Sequence, residues 1–167
     1  MQPIVSIRDC LIATIHDGNP SPELAVGLNF LAYISTQIDC PILSRSTTWC
    51  DREEIDDFIK ELKKLSRSGD RRCLLLAGSN LEQQITVLAL EALAEGFDVH
   101  LLNDLISTTD QFTAPVLQQR LVQAGAVPST LRQFIYLWRS AEIDRSALTT
   151  LQELLVEYDR ASIGGLR

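Results

Sequence analysis

Few side chains in this chain are suited to chemistry near neutral pH, and they are scattered. The strongest candidates are His16, with Asp17 beside it, and Cys50. Cys50 adjoins Trp49 and precedes Asp51, where a helix is expected to begin. A helix N-terminus lowers a thiol pKa, so a Cys50–His16 pair could form a thiolate–imidazolium site. The simpler reading, a helix-start cysteine packed beneath Trp49, is preferred. His100 falls inside an expected strand and reads as a packing residue. Cys10, Cys40 and Cys73 each sit at the edge of an apolar run and read as small buried hydrophobes at strand starts. The cysteines form no CxxC pair and no histidine stands at ligand spacing. No disulfide framework, metal or cofactor is therefore expected.

A second set of residues could line a pocket without reacting: Arg45, Gly78, Ser79, Asn80, Gln84 and Asn103. The stretch Gly78-Ser79-Asn80-Leu81-Glu82 opens a helix after a strand, a place where backbone N–H groups can hold an anion. It is neither GxGxxG nor a Walker loop. A tight turn with Ser79 or Asn80 as N-cap is the preferred reading. Asp104 and Asp110 read as capping or turn acids.

Positioning these residues requires a regular scaffold, and the pattern supplies one. Apolar strand-like runs at residues 10–15, 41–44, 73–77 and 99–103 alternate with helical stretches at 21–36, 51–65, 81–95 and 108–123. Ser21-Pro22-Glu23 has a helix-start order of N-cap, proline and acid. Asp51 with Glu54 forms a capping arrangement, and Ile55, Phe58, Ile59, Leu62 and Leu65 make a one-sided stripe. Thr108 with Gln111 could cap the fourth helix. A short strand near Val127 and helices at 131–140 and 147–158 complete the chain. Residues 81–95 are apolar on nearly all sides, which implies burial within the domain or against another subunit. The alternation predicts an α/β protein: a three-layer α/β/α sandwich, Rossmann-like, with a mostly parallel sheet of five or six strands. One domain spanning residues 1–167 is expected. Ligands on such sheets bind beyond the strands' carboxyl ends, here residues 15–19, 45–49, 78–84 and 103–108.

Residues 74–99, LLLAGSNLEQQITVLALEALAEGFDV, resemble the nucleophile region of the isochorismatase-like cysteine hydrolases. Asn103-Asp104, the turn Gln123-Ala124-Gly125-Ala126, Trp49-Cys50-Asp51, Asp57-Phe58 and the tail around Trp138 extend the resemblance toward an octameric bacterial subgroup. It covers the last two-thirds of the chain well and the first third weakly. Family members are similar in using a strand-one aspartate, a lysine before the middle helix, and a cysteine in the first turn after a strand-ending glycine. The aspartate takes the thiol proton, the lysine supports it, and the cysteine attacks.

Against that pattern, Gln84 stands at the cysteine position, and an amide cannot serve as a thiolate. The aspartate position falls at Ile15 or His16, with Asp17 just past it. The lysine-bearing stretch is missing, because the chain passes from Arg45 through Ser46-Thr47-Thr48 straight to Trp49. The domain is thus shortened between strand two and the middle helix. Nicotinamidase-type members hold a metal with an Asp–His–His set, which has no counterpart here.

The expectation is an isochorismatase-fold protein lacking the family's cysteine hydrolase activity, with an assembly or small-molecule binding role. The alternative is hydrolysis of a small amide, ester or vinyl ether through a non-standard set including Cys50, His16 and Asp17. The apolar stretch 81–95 and the bulk of Trp138, too large for one tail helix to cover, point to a homo-oligomer. The net charge of −7 argues against nucleic-acid or anionic-membrane partners. No secretory pattern or bilayer-length apolar run is present, so a cytoplasmic location is expected.

Overall fold

The computed structural model describes residues 6–46, 51–142 and 145–164. A 3-10 turn at Ile7–Asp9 leads into β1 (Cys10–His16), α1 (Pro22–Gln37), β2 (Ile42–Ser46), α2 (Arg52–Gly69) and β3 (Cys73–Gly78). A π-helical turn at Leu81–Ile85 runs into α3 (Thr86–Ala94). There follow β4 (Asp98–Ile106), α4 (Thr113–Gln123), β5 (Val127–Ser129), α5 (Leu131–Ala141) and α6 (Arg145–Gly164). The five strands lie in the order β2-β1-β3-β4-β5, and every pairing is parallel.

Strand alternation divides the core in two. Leu11, Ala13, Ile15, Leu74, Leu76, Val99 and Leu101 face one side and pack under α2, α3 and α4. Cys10, Ile12, Cys73, Leu75, Ala77 and Leu102 face the other side and pack under α1, α5 and α6. Near-continuous apolar strands follow from this burial on both faces. The architecture is the three-layer α/β/α sandwich expected from the alternation. Its strand order places the topological switch between β1 and β3.

Several starts and stops follow local chemistry. Ser21 Oγ accepts from the Leu24 amide at 3.3 Å, with Pro22 in the first helical turn. Asp51 and Glu54 form a reciprocal capping box, and Asp70 closes α2 in the left-handed conformation. The fourth helix is capped differently from the expectation. Asp110, not Thr108, accepts from the Phe112 and Thr113 amides at 2.9 and 3.2 Å. Those bonds, after the one from the Thr113 hydroxyl, hold the Asp110 carboxyl below its usual pKa.

Trp138 corrects a second expectation. It is fully buried by the chain itself, between Phe134 and the α6 residues of the same core, and its Nε1 donates to Cys10 Sγ at 3.4 Å. The apolar stretch after β3 is covered internally as well. Leu81, Ile85, Leu88, Ala89 and Ala92 are buried in the core that α2 and α4 share. Cys10, Cys40 and Cys73 are buried free thiols. Burial pushes Cys40 up to about 12, and the bond to Cys10, then burial, raises Cys73, so both stay protonated and inert.

Gly78 ends β3 at φ 146°, and a Cβ built there would stand 1.7 Å from the Ile15 carbonyl oxygen. Gly96 also has a positive φ, 88°, but nothing lies within 4 Å of its Cβ position. Gly78→Ala is therefore expected to cost about 3 kcal/mol or more, and Gly96→Ala only about 1 kcal/mol. Urea unfolding of the two variants, compared with wild type, checks the ranking.

Candidate functional site

The carboxyl ends of β1, β2 and β3 converge around the β3 turn. Gly78 approaches β1 so closely that the Ser79 amide donates to Ile15 O at 3.0 Å. The Asp17 amide donates back to the buried Ser79 hydroxyl at 2.8 Å. On the other side, Ser107 N donates to Gly78 O and Leu81 N to Ser107 O, both at 3.0 Å. These bonds stitch the turn to both neighbours. The Ser79 hydroxyl is consumed here and is not an N-cap. Asn80 holds the N-cap position, with a left-handed φ of 68°, but its side chain makes no capping bond.

The helix after the turn begins as π rather than α. Ile85 N donates to Asn80 O at 3.3 Å, five residues back, and the Thr86 hydroxyl donates to Leu81 O at 2.6 Å. Such one-turn π segments recur at functional sites. Gln84 lies within it and is 1 % exposed. Ile15, one of the two positions (Ile15 or His16) at which the resemblance places the aspartate, is 2 % exposed and packs into the α2–α3 core.

Glu82, in the first turn after β3, anchors this end of the sheet. Its Oε1 accepts from the Thr109 and Asp110 amides at 2.9 Å each, and from the Thr108 hydroxyl. Burial alone would raise its pKa. The Thr108 bond and the backbone bonds outweigh that and lower it below 4.5. The signal for this anchor was absent from any motif, because its partners lie 26–28 residues away.

Register settles the direction of the β1 end. Ile15 pairs with Arg45 and His16 with Ser46. Arg45 shares the α2 face, paired with Glu61 and with its guanidinium carbon 5.8 Å from the Phe58 ring centre. His16 follows on the opposite face by alternation. Its Nδ1 accepts from the Gly18 amide at 3.3 Å. Asp17 is exposed, and its carboxylate accepts from the Asn19 amide at 3.3 Å. Cys50 lies outside the described residues.

Between β1, β2, α2 and α3 lies a cavity of about 170 Å³, lined by Ile15, Arg45, Ser46, Glu54, Ile55, Phe58 and Leu88. Of the expected pocket residues, Arg45 lines it, while Gly78, Ser79, Asn80 and Gln84 form the structural turn beside it. Asn103 sits in β4, where the register slips. Leu76 pairs with Leu101 but Gly78 with Ile106, so β4 carries three residues more than β3 over this interval (five steps against two). Asn103 is half-buried, and its Oδ1 is buried with no hydrogen-bond partner among the described residues. Asp104, in the same bulge, accepts from the Leu131 amide at 3.1 Å and from the Tyr158 hydroxyl, and so tethers α5 and α6. Among the described residues, no group of three or more His, Cys, Asp or Glu is placed to hold a metal ion. Likewise no described helix is long and apolar enough to cross a membrane.

With this geometry established, comparisons place the fold. No protein-family model matches the sequence, and no curated protein matches it. Solved structures do match. The YcaC gene product of Escherichia coli, described as an octameric hydrolase of unknown specificity, aligns with a TM-score of 0.69 at 19% identity, covering 97% of this chain and 95% of that one. MAR1 ribonuclease from Caenorhabditis elegans aligns at 0.69 and 13% identity, over 91% and 92%. An isochorismatase from Pseudomonas putida aligns at 0.56 and 12% identity, over 78% and 92%. The chain therefore has the isochorismatase-like fold, as the strand–turn–helix resemblance implied.

Because its folded pKa is lowered, Glu82 contributes stability that is fully present above 4.5 and is lost as pH falls through the lower folded value. Glu82→Gln should be less stable than wild type near neutral pH. Thermal unfolding is expected to show that difference narrowing as the pH drops well below 4.5.

Proposed function

We propose that this chain is an isochorismatase-fold subunit that binds a small ligand and assembles with its own copies, without the thiol chemistry of cysteine hydrolases. The observation that carries the reading is the burial of Gln84, at the position the resemblance gives to the nucleophile, within the π turn after β3. An amide cannot become a thiolate. Fold similarity alone does not transfer an activity, since function resides in the site.

The cavity beside Arg45 supports the ligand part of the reading. At about 170 Å³ it compares with the roughly 150 Å³ cavity that suffices for benzene. Its walls are apolar at Ile15, Ile55, Phe58 and Leu88, and its mouth is polar at Arg45, Ser46 and Glu54. That combination suits a ligand with one small apolar body and one polar end. The assembly part draws on the E. coli neighbour, which is octameric and aligned over almost its whole length. A cytoplasmic location belongs to the same proposal.

A small ligand of this kind should raise the unfolding temperature in proportion to the logarithm of its concentration while remaining unconsumed. Thermal-shift measurements with small carboxylates and amides, each followed by quantitation of the intact ligand, check both halves. Leu88→Trp, which fills the cavity from α3, should abolish the shift. Steady turnover of any tested amide, ester or isochorismate would contradict the reading. If alkylation of the thiols stopped that turnover, Cys50 would be the residue to replace first.

A further inference from the structure

At the amino end of the sheet, away from the cavity under α2, three thiols meet. Cys10 opens β1, Cys73 opens β3, and Cys40 lies just ahead of β2. Cys10 and Cys73 are register partners on neighbouring parallel strands, and both face the side covered by α1, α5 and α6. Neighbouring strands run roughly 4.8 Å apart, inside the range of about 4.4–6.8 Å between Cα atoms that a disulfide spans. The two thiols already interact, side chain to side chain. Cys40 is placed differently: its Sγ donates to the main-chain oxygen of Cys10 at 3.4 Å.

The surroundings favour a reactive Cys10. The Cys73 thiol and Trp138 Nε1 both donate to its sulfur, the latter at 3.4 Å. Arg71 bonds the Cys10 and Ile7 carbonyl oxygens at 2.8 and 3.1 Å and brings a positive charge. The bond from Cys73 first, then Trp138 and Arg71, outweigh burial and lower the Cys10 pKa. Cys10 Sγ lies 3.3 Å from the Ser6 carbonyl oxygen, so the 3-10 turn at Ile7–Asp9 covers it. Exposed bonds of 3.3 Å between Ser6 and the Arg8 amide, and between Asp9 and the Ser6 amide, hold that turn. A three-residue turn so held opens more readily than the strands beneath it. Beside it lies a cavity of about 400 Å³ whose lining includes Ile7, Arg8, Ile38, Asp39 and Arg71.

We propose that Cys10 and Cys73 are an oxidation site, joined by hydrogen peroxide into a reversible disulfide between β1 and β3. The Cys10 thiolate attacks one peroxide oxygen, and the O–O bond breaks. The departing oxygen takes a proton and leaves as water, so the peroxide is reduced and Cys10 becomes a sulfenic acid. Cys73 is inert while its proton is shared with Cys10, because that bond is the first cause of its raised pKa. Oxidation of Cys10 removes the bond. Cys73 then gives up its proton and attacks the sulfenic sulfur, the S–O bond breaks, and a second water leaves. A small thiol such as glutathione reverses the bridge by exchange. The site is independent of the ligand reading above, which concerns the opposite end of the sheet.

The test uses the full, folded chain. Reduced protein is exposed to hydrogen peroxide, quenched with iodoacetamide and digested without reduction. Mass spectrometry is expected to find a Cys10–Cys73 cross-link that dithiothreitol reverses. Cys10→Ala and Cys73→Ala should each abolish the loss of two hydrogens per chain, and Cys40→Ala should keep it. Ser6→Ala loosens the covering turn and should speed the cross-link roughly threefold or more, whereas Ser21→Ala, at the start of α1, should leave its rate unchanged. Circular dichroism confirms that each variant folds. A wild-type chain that stays reduced, a bridge from Cys10 to Cys40 or Cys50 instead, or a Cys10 that runs on to the sulfinic acid would overturn the proposal. A cross-link whose rate Ser6→Ala does not change would overturn the route through the turn.

Discussion

The contact on which the rest of this structure depends is the approach of Gly78 to the Ile15 carbonyl. With no room for a Cβ, the last residue of β3 must be glycine, and its backbone must take a positive φ. The chain then leaves the sheet with Ser79 bonded to β1, Leu81 to the segment after β4, and Asn80 in the left-handed region between them. The π turn that follows relieves this sharp exit, since a bond to the fifth residue back admits one extra residue before α3 assumes α geometry. Everything at the carboxyl end of the sheet is set by that turn, including which residue reaches position 84 and how deeply it sits.

Such a turn is indifferent to chemistry. Its geometry is held by main-chain groups and by the Ser79, Thr86, Ser107 and Glu82 side chains, none of which needs to react. The turn's geometry therefore does not depend on the chemistry of the side chain at position 84. The same bonds join β1 to β3 at the topological switch, where doubly wound proteins often bind ligands. A cavity lies to one side, under α2, where Arg45 and Phe58 meet. Ile15 and Leu88 are among the apolar side chains that bound it.

What the sequence disclosed, and what it hid, has a common physical basis. Local signals were readable: the caps at Ser21 and Asp51 depend on neighbours within three residues, and the alternation of apolar strands with amphipathic helices is written in short-range periodicity. The burial of Cys10, Cys40 and Cys73 followed from their places at strand edges. Long-range partners were not readable. Glu82 finds the Thr109 and Asp110 amides only because β4 runs past Asn103 with a three-residue surplus, and that surplus depends on strand register (five steps against two). Thr108 was drawn away from capping by Glu82, leaving the cap to Asp110. Trp138 and the stretch after β3 were apolar enough to suggest a partner, yet α6 and α4 cover them.

The central claim is that this end of the sheet holds no working nucleophile. The most direct measurement is a single-turnover experiment with protein in large excess over amide and ester substrates, quenched and read by mass spectrometry for both product and covalent adduct. The account predicts neither, with native and thiol-alkylated protein behaving alike. Product formation, or an adduct on any residue, that alkylation abolishes would contradict it and show that a cysteine elsewhere in the chain performs the chemistry that Gln84 cannot.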